Sequence, residues 1–211
     1  EGYSLAYWQP FDDANSIDDF RFGDPGTWSR ATPRMNGCLQ TEGSSDYSPP
    51  VRSPRIIALL ADRTFGDFVL EADMMQTGRD YGHRDLCLFF GFQDPSNYYY
   101  AHIGQQTDAH AHNIFVVDDE PRTKISSKTT EGIEWTDDEW HEVRIERDVS
   151  EGSIEVYFDD MDTPIMRASD KSFGRGFVGF GTFDDAGRID NVRIWAPNAR
   201  KEKLEHFKPL K

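Results

Sequence analysis

The chain has 211 residues, 37% of them apolar and 13% aromatic, and a formal charge of −15 at pH 7. That length suits one sizeable β domain burying roughly 70% of its unfolded surface, and the aromatic weighting fits strands better than a Leu- and Ala-rich helical bundle. The acidity argues against general nucleic-acid binding, which needs clustered Lys and Arg; the longest apolar run, IIALLA, falls far short of the roughly 20 residues that cross a bilayer.

Taken in chain order, residues 1–52 are rich in Asp, Gly, Pro and Ser around Tyr7, Trp8, Phe11, Phe20, Phe22 and Trp28, which predicts an ordered wrap with short strands. Between residues 53 and 195 nine strand-like runs recur: RIIALLA, FGDFVLEADMM, DLCLFFGF, YYYAHIG, HNIFVV, EWHEVRIERD, GSIEVYFDD, GFVGFGTFDD and RIDNVRIW. Turn signals at Asp94-Pro95-Ser96-Asn97, Ser150-Glu151-Gly152 and Asp184-Asp185-Ala186-Gly187 separate them. Val143 and Ile145 alternate with Glu142, Arg144 and Glu146, so each strand offers one core face and one wet face. The pattern predicts an all-β, two-sheet antiparallel sandwich or jelly roll in one domain. Residues 196–211, a charged tail, read as a short helix or a frayed end. Cys38 and Cys87 are compatible with one disulfide or with buried free thiols. A first residue of Glu1 rather than Met raises the expectation of a processed, secreted or periplasmic chain.

The most telling stretch is NYYYAHIGQQTDAHAHNIFVV. In an extended strand Tyr98, Tyr100 and His102 share one face, and Tyr99, Ala101 and Ile103 the other. The second set suits a core, leaving the first to line a surface. His83, His102, His110 and His112 fall within thirty positions, accompanied by Arg79, Arg84, Gln93, Asn113, Arg122 and Lys124. Elimination beside a uronate carboxylate requires a base, an acid for the leaving oxygen and a group that neutralises the carboxylate. His102 or His112 is the expected base, Tyr100 the acid, and Arg84 or Arg122 the carboxylate anchor. Tyr98, His110, His83, Gln93 and Asn113 complete the expected sugar-binding surface. Two other readings stay open: His110 and His112 as a metal pair on one strand face, or Tyr98, Tyr100 and Trp135 as a stacking platform without catalysis. Trp140 reads as a sandwich anchor and His141 as structural.

The phrases FGDFVLEADM, WHEVRIERD, GSIEVYFDD and GFVGFGTFDDAGRIDNVRIW resemble the concanavalin A-like lectin/glucanase sandwich. More narrowly, residues 53–195 are similar to laminin-G-like domains and to the bacterial 3-keto-disaccharide hydrolase (DUF1080) group. The resemblance implies action on, or binding of, a polysaccharide or oligosaccharide, but the superfamily contains hydrolases, lyases and non-catalytic modules, and fold does not choose among them. It also implies a structural calcium, with Asp190 of RIDNV at the matching position and Asp12 or Asp13 joining from the N-terminal side. The glucanase pattern E-x-D-x-x-E is absent. Its nearest substitute is Glu71 with Asp73, about 6.5 to 7 Å apart along one strand face, a spacing that either hydrolytic stereochemistry accommodates.

Overall fold

The computed structural model describes residues 2–210. The strands, in chain order, are β1 (Ser4–Gln9), β2 (Phe20–Phe22), β3 (Trp28–Ala31), β4 (Cys38–Glu42), β5 (Ile56–Leu60), β6 (Arg63–Phe65), β7 (Phe68–Gln76), β8 (Asp85–Asp94) and β9 (Asn97–Gly104). They continue with β10 (Asn113–Asp118), β11 (Thr123–Lys124), β12 (Ser126–Thr129), β13 (His141–Arg147), β14 (Ser153–Phe158), β15 (Met166–Ser169), β16 (Phe177–Thr182), β17 (Ala186–Ala196) and β18 (Ala199–Lys201). All nine runs read from the sequence are strands, and the N-terminal wrap supplies β1 to β4.

One sheet has the order β12-β15-β14-β13-β7-β17-β4-β3, with β1 also paired to β17; the second runs β11-β10-β9-β8-β16-β5-β2. The pairings are antiparallel throughout. Alternation places Leu70, Ala72, Val143, Ile145 and Ile194 of the first sheet against Leu88, Phe90, Tyr99, Ala101 and Phe180 of the second, all buried in one core. Tyr99 stacks on Phe90 with centroids 5.2 Å apart. Its hydroxyl accepts the Phe173 N–H and donates to Asp170. Cys38 and Cys87 lie in different sheets as free, buried thiols.

The outer face of the second sheet departs from the expected pattern. Phe89, Tyr98, Tyr100, Phe115 and Val117 form a second apolar cluster there, overlain by Tyr47 and Val51 from the segment after β4 and by Leu204 and Phe207 from the tail. Tyr98 stacks on Phe92 at 5.0 Å and Tyr100 on Phe115 at 5.1 Å, both fully buried. Alternation therefore assigned the right residues to the right faces, but both faces are covered. The tail is neither helical nor loose: β18 pairs with β6, and Lys208 exchanges backbone hydrogen bonds with Phe22. Among the described residues, no helix is long and apolar enough to cross a membrane.

Two substitutions test this packing by urea unfolding. Phe90→Ala should cost about 3–5 kcal/mol, as for other large core truncations. The Tyr100 hydroxyl is buried without a hydrogen-bond partner, so Tyr100→Phe should raise stability by about 1 kcal/mol; a loss would show that the hydroxyl is bonded.

Candidate functional site

The β8–β9 hairpin places Cys87 opposite His102 and Asp85 opposite Gly104. This is the end of the second sheet's outer face, beyond the apolar cover. Between β9 and β10 the chain turns around Asp108, whose Oδ1 accepts the backbone N–H groups of His110 (2.6 Å) and Ala111 (2.8 Å) while Oδ2 meets His83 Nε2 at 2.9 Å. Asn113 Nδ2 donates to the carbonyls of Asp108 and Ala111, closing the loop from the other side. The return forces His112 into the left-handed region (φ 51°), where its backbone N–H donates to His102 Nδ1 at 3.1 Å.

That bond fixes the chemistry of His102. A ring nitrogen that accepts an N–H carries no proton, so the neutral ring holds its hydrogen on Nε2. Burial first, then the Arg122 charge, push the imidazole down to about 3, and His102 is neutral across the physiological range. Its Nε2 lies 3.6 Å from Asp85 Oδ1, beyond hydrogen-bond range.

Asp85 is itself almost wholly buried. Its Oδ2 accepts the Cys87 thiol at 3.1 Å, and its backbone N–H donates to Asp185 Oδ2 at 2.8 Å, an oxygen that also accepts the Tyr81 hydroxyl at 3.1 Å. Burial, then the neighbouring Asp185 charge, hold the Asp85 carboxyl well above the usual carboxylate range. Asp85, His102, Tyr81 and Asp184 line a cavity of about 360 Å³. Arg52, Arg55, Arg122, His83 and His110 also line it, and a second recess of about 430 Å³ continues past Arg122 beneath residues 48–55. The Arg122 guanidinium lies 4.4 Å from the Phe183 ring centre and donates to the His110 carbonyl at 3.4 Å.

Of the residues singled out by sequence, His83, His102, His110 and Arg122 meet here. Asp85, Arg52, Arg55, Tyr81 and Asp184 join them unforeseen; a Tyr, two Arg and two Asp scattered from residue 52 to 184 leave no local signal. Several expectations are corrected. Tyr98 and Tyr100 are sealed beneath the apolar cover. His112 is buried, its Nε2 bonded to Thr130 Oγ1 at 2.9 Å, and burial lowers it to about 4. Because β10 begins only at Asn113, His110 and His112 share no strand face and form no metal pair. Asn113 is spent on the loop. Arg84 is fully buried and tied to Asp137 (2.6 Å) and Asp80 (3.4 Å). Gln93 bonds the carbonyls of Gly91 and Arg175 at the far end of β8. Trp135 is core, donating to the Ile103 carbonyl at 2.9 Å, whereas Trp140 is 38% exposed rather than an anchor. His141 stacks on Phe158 and bonds Asp159 at 2.8 Å.

The first sheet's outer face holds the other carboxylates. Glu71 is gripped by Arg144 (2.6 Å) and Arg193 (3.4 Å), and Asp73 accepts from Asn191 at 3.3 Å, so this pair stands in a structural network away from the cavity. Asp190 is raised to about 6 by burial, with the charges of Asp73 and Asp12 adding to it. Mutually repelling acids are a donor set that calcium favours, but these oxygens are not gathered into one shell. Among the described residues, the three acids whose oxygens all lie within 4.8 Å of one another are Asp85, Asp184 and Asp185.

The carbohydrate binding module CBM66 from Bacillus subtilis superposes at TM-score 0.62 over 84% of this chain and 96% of its own, with 17% identity. A lectin from Bauhinia forficata in complex with GalNAc gives 0.53 over 94% and 99%, with 10% identity. The fold is the concanavalin A-like sandwich. A mutant of the GH43 protein BlXynB from Bacillus licheniformis gives 0.62 over 90% of this chain and 39% of that one, at 11% identity. No family model and no curated protein matches the sequence.

The buried acid makes a signed prediction. A carboxyl raised by folding contributes stability that is present below the unfolded value of about 4 and lost as pH climbs through the folded value. Asp85→Asn should therefore flatten the fall in urea midpoint above about pH 4 relative to the parent protein; parallel curves would mean that Asp85 titrates normally.

Proposed function

We propose that the protein is a carbohydrate-recognition domain that takes the end of an anionic saccharide, bearing uronate or sulfate groups, into the cavity between Asp85 and Arg122. The observation that carries this is the gathering of Arg52, Arg55 and Arg122 around one recess in a chain whose total charge is −15. Arginine matches carboxylate and sulfate oxygens through its fork of donors, and the neutral His102 Nε2–H adds a donor that needs no charge. A cavity of about 360 Å³ has room for a chain end rather than a long open strand of sugar. The fold shared with a carbohydrate binding module and a GalNAc-bound lectin supports the same reading.

β-Elimination, expected from the sequence, fits the geometry less well. The free lone pair of His102 is occupied by the His112 N–H, His112 lies outside the cavity, and the Tyr100 hydroxyl is sealed away. Recognition needs none of these groups to move a proton.

Calorimetric titration with oligogalacturonides and heparin-derived oligosaccharides, against neutral cello-oligosaccharides, tests the proposal. At least one acidic series should bind and the neutral series should not. Arg122→Ala should weaken binding about tenfold or more, the scale of one charged hydrogen bond, while Arg167→Ala, at a solvent-exposed pair with Glu155, should leave it unchanged. Equal affinity for the neutral series, or indifference to Arg122→Ala, would overturn it.

A further inference from the structure

We propose that the same cavity hydrolyses the glycosidic bond of its saccharide, with Asp184 as nucleophile and Asp85 as general acid, and with retention of anomeric configuration. The inference rests on the recognition reading above and goes beyond it by assigning a reaction.

Three observations converge. Asp85 and Asp184 both line the cavity, one buried and one open to solvent. Their oxygens fall within 4.8 Å of each other. Retaining enzymes hold their two carboxyl groups about 5 to 5.5 Å apart and inverting ones about 6.5 to 9.5 Å, the difference being room for a water; oxygens this close agree better with the shorter spacing. Beside the acids, His102 is 4% exposed and lines the same cavity; its Nε2–H has no acceptor within hydrogen-bond range, the Asp85 oxygen standing 3.6 Å away, so a sugar oxygen entering there would meet a free donor. Burial, then the neighbouring Asp185 charge, raise the Asp85 carboxyl well above the usual carboxylate range, the direction in which a general acid is tuned. The pair Glu71 and Asp73 offers nothing comparable, since both carboxyl groups are spent on the Arg144, Arg193 and Asn191 side chains of the first sheet.

In the first step a carboxylate oxygen of Asp184 bonds to the anomeric carbon as the bond to the leaving oxygen breaks, and the Asp85 proton passes to that oxygen. In the second, water gives its proton to the Asp85 carboxylate and its hydroxyl to the anomeric carbon, breaking the ester to Asp184. Both groups end as they began, and water is the only co-reactant. Asp185 acts as a positioning residue, through the Asp85 N–H and the Tyr81 hydroxyl.

The test uses 4-nitrophenyl and methyl glycosides of glucuronic and galacturonic acids, with calorimetric binding measured in parallel. The parent protein should release nitrophenol from at least one uronide, the first sugar formed having the anomeric configuration of the substrate by NMR. Asp184→Ala should lose at least about a hundredfold in rate, and azide should restore turnover as a glycosyl azide of opposite configuration. Asp85→Asn should keep the nitrophenyl reaction within about tenfold, because nitrophenolate departs unaided, yet lose the methyl glycoside entirely. A purely structural role for Asp85 would depress both substrates alike and sink the assignment. Binding without any product, inverted product, or an active Asp184→Ala would overturn hydrolysis while leaving recognition intact; absence of binding to all the uronides would remove both.

Discussion

One hydrogen bond organises the candidate site: the backbone N–H of His112 on His102 Nδ1. It requires the chain to turn back after β9 and to enter the left-handed region at His112, a conformation that bulky residues adopt only when the surroundings enforce it. Asp108 and Asn113 supply that enforcement through four side-chain bonds to the loop backbone. The consequence reaches the ring itself, which is held as a neutral donor rather than a base. Without that turn His110 would not reach the cavity, and the lone pair of His102 would be free to take a proton.

The second constraint is the cover on the outer face of the β9–β8–β16 sheet. Large aromatic side chains bury more apolar surface than most, and Tyr98, Tyr100, Phe89 and Phe115 find partners in Tyr47, Val51, Leu204 and Phe207 from segments far away in sequence. Closing that half of the face confines any ligand to the end where Asp85 and His102 lie. The arginines border the remaining opening because Arg52 and Arg55 belong to the same segment that supplies Val51 to the cover.

Legibility in the sequence followed the range of the forces involved. The nine main strands were readable because period-two alternation is local, as in Val143 and Ile145 against Arg144. The division between Tyr99, Ala101 and Ile103 on one side and Tyr98, Tyr100 and His102 on the other was readable for the same reason. What could not be read was which outer face would be covered, since that depends on a loop and a tail that pair with the sheet only in three dimensions. Gln93 and Arg84 went astray similarly: their polar ends satisfy carbonyls and carboxylates of neighbouring loops. Asp85 and Asp184 escaped notice because nothing in DLCLFFGF or GTFDDAG distinguishes a cavity acid from a strand cap.

The arrangement thus couples a structural loop to a chemical assignment: a buried, neutral imidazole donor beside a buried acid, at the rim of an arginine-bordered recess. Nitrogen NMR of the His102 ring across about pH 5 to about pH 8, where an ordinary imidazole changes charge, tests this most directly. The account predicts a single neutral form protonated on Nε2 throughout, with its signal displaced when an acidic oligosaccharide is added. A titration midpoint near the ordinary imidazole value, or a ring protonated on Nδ1, would contradict it.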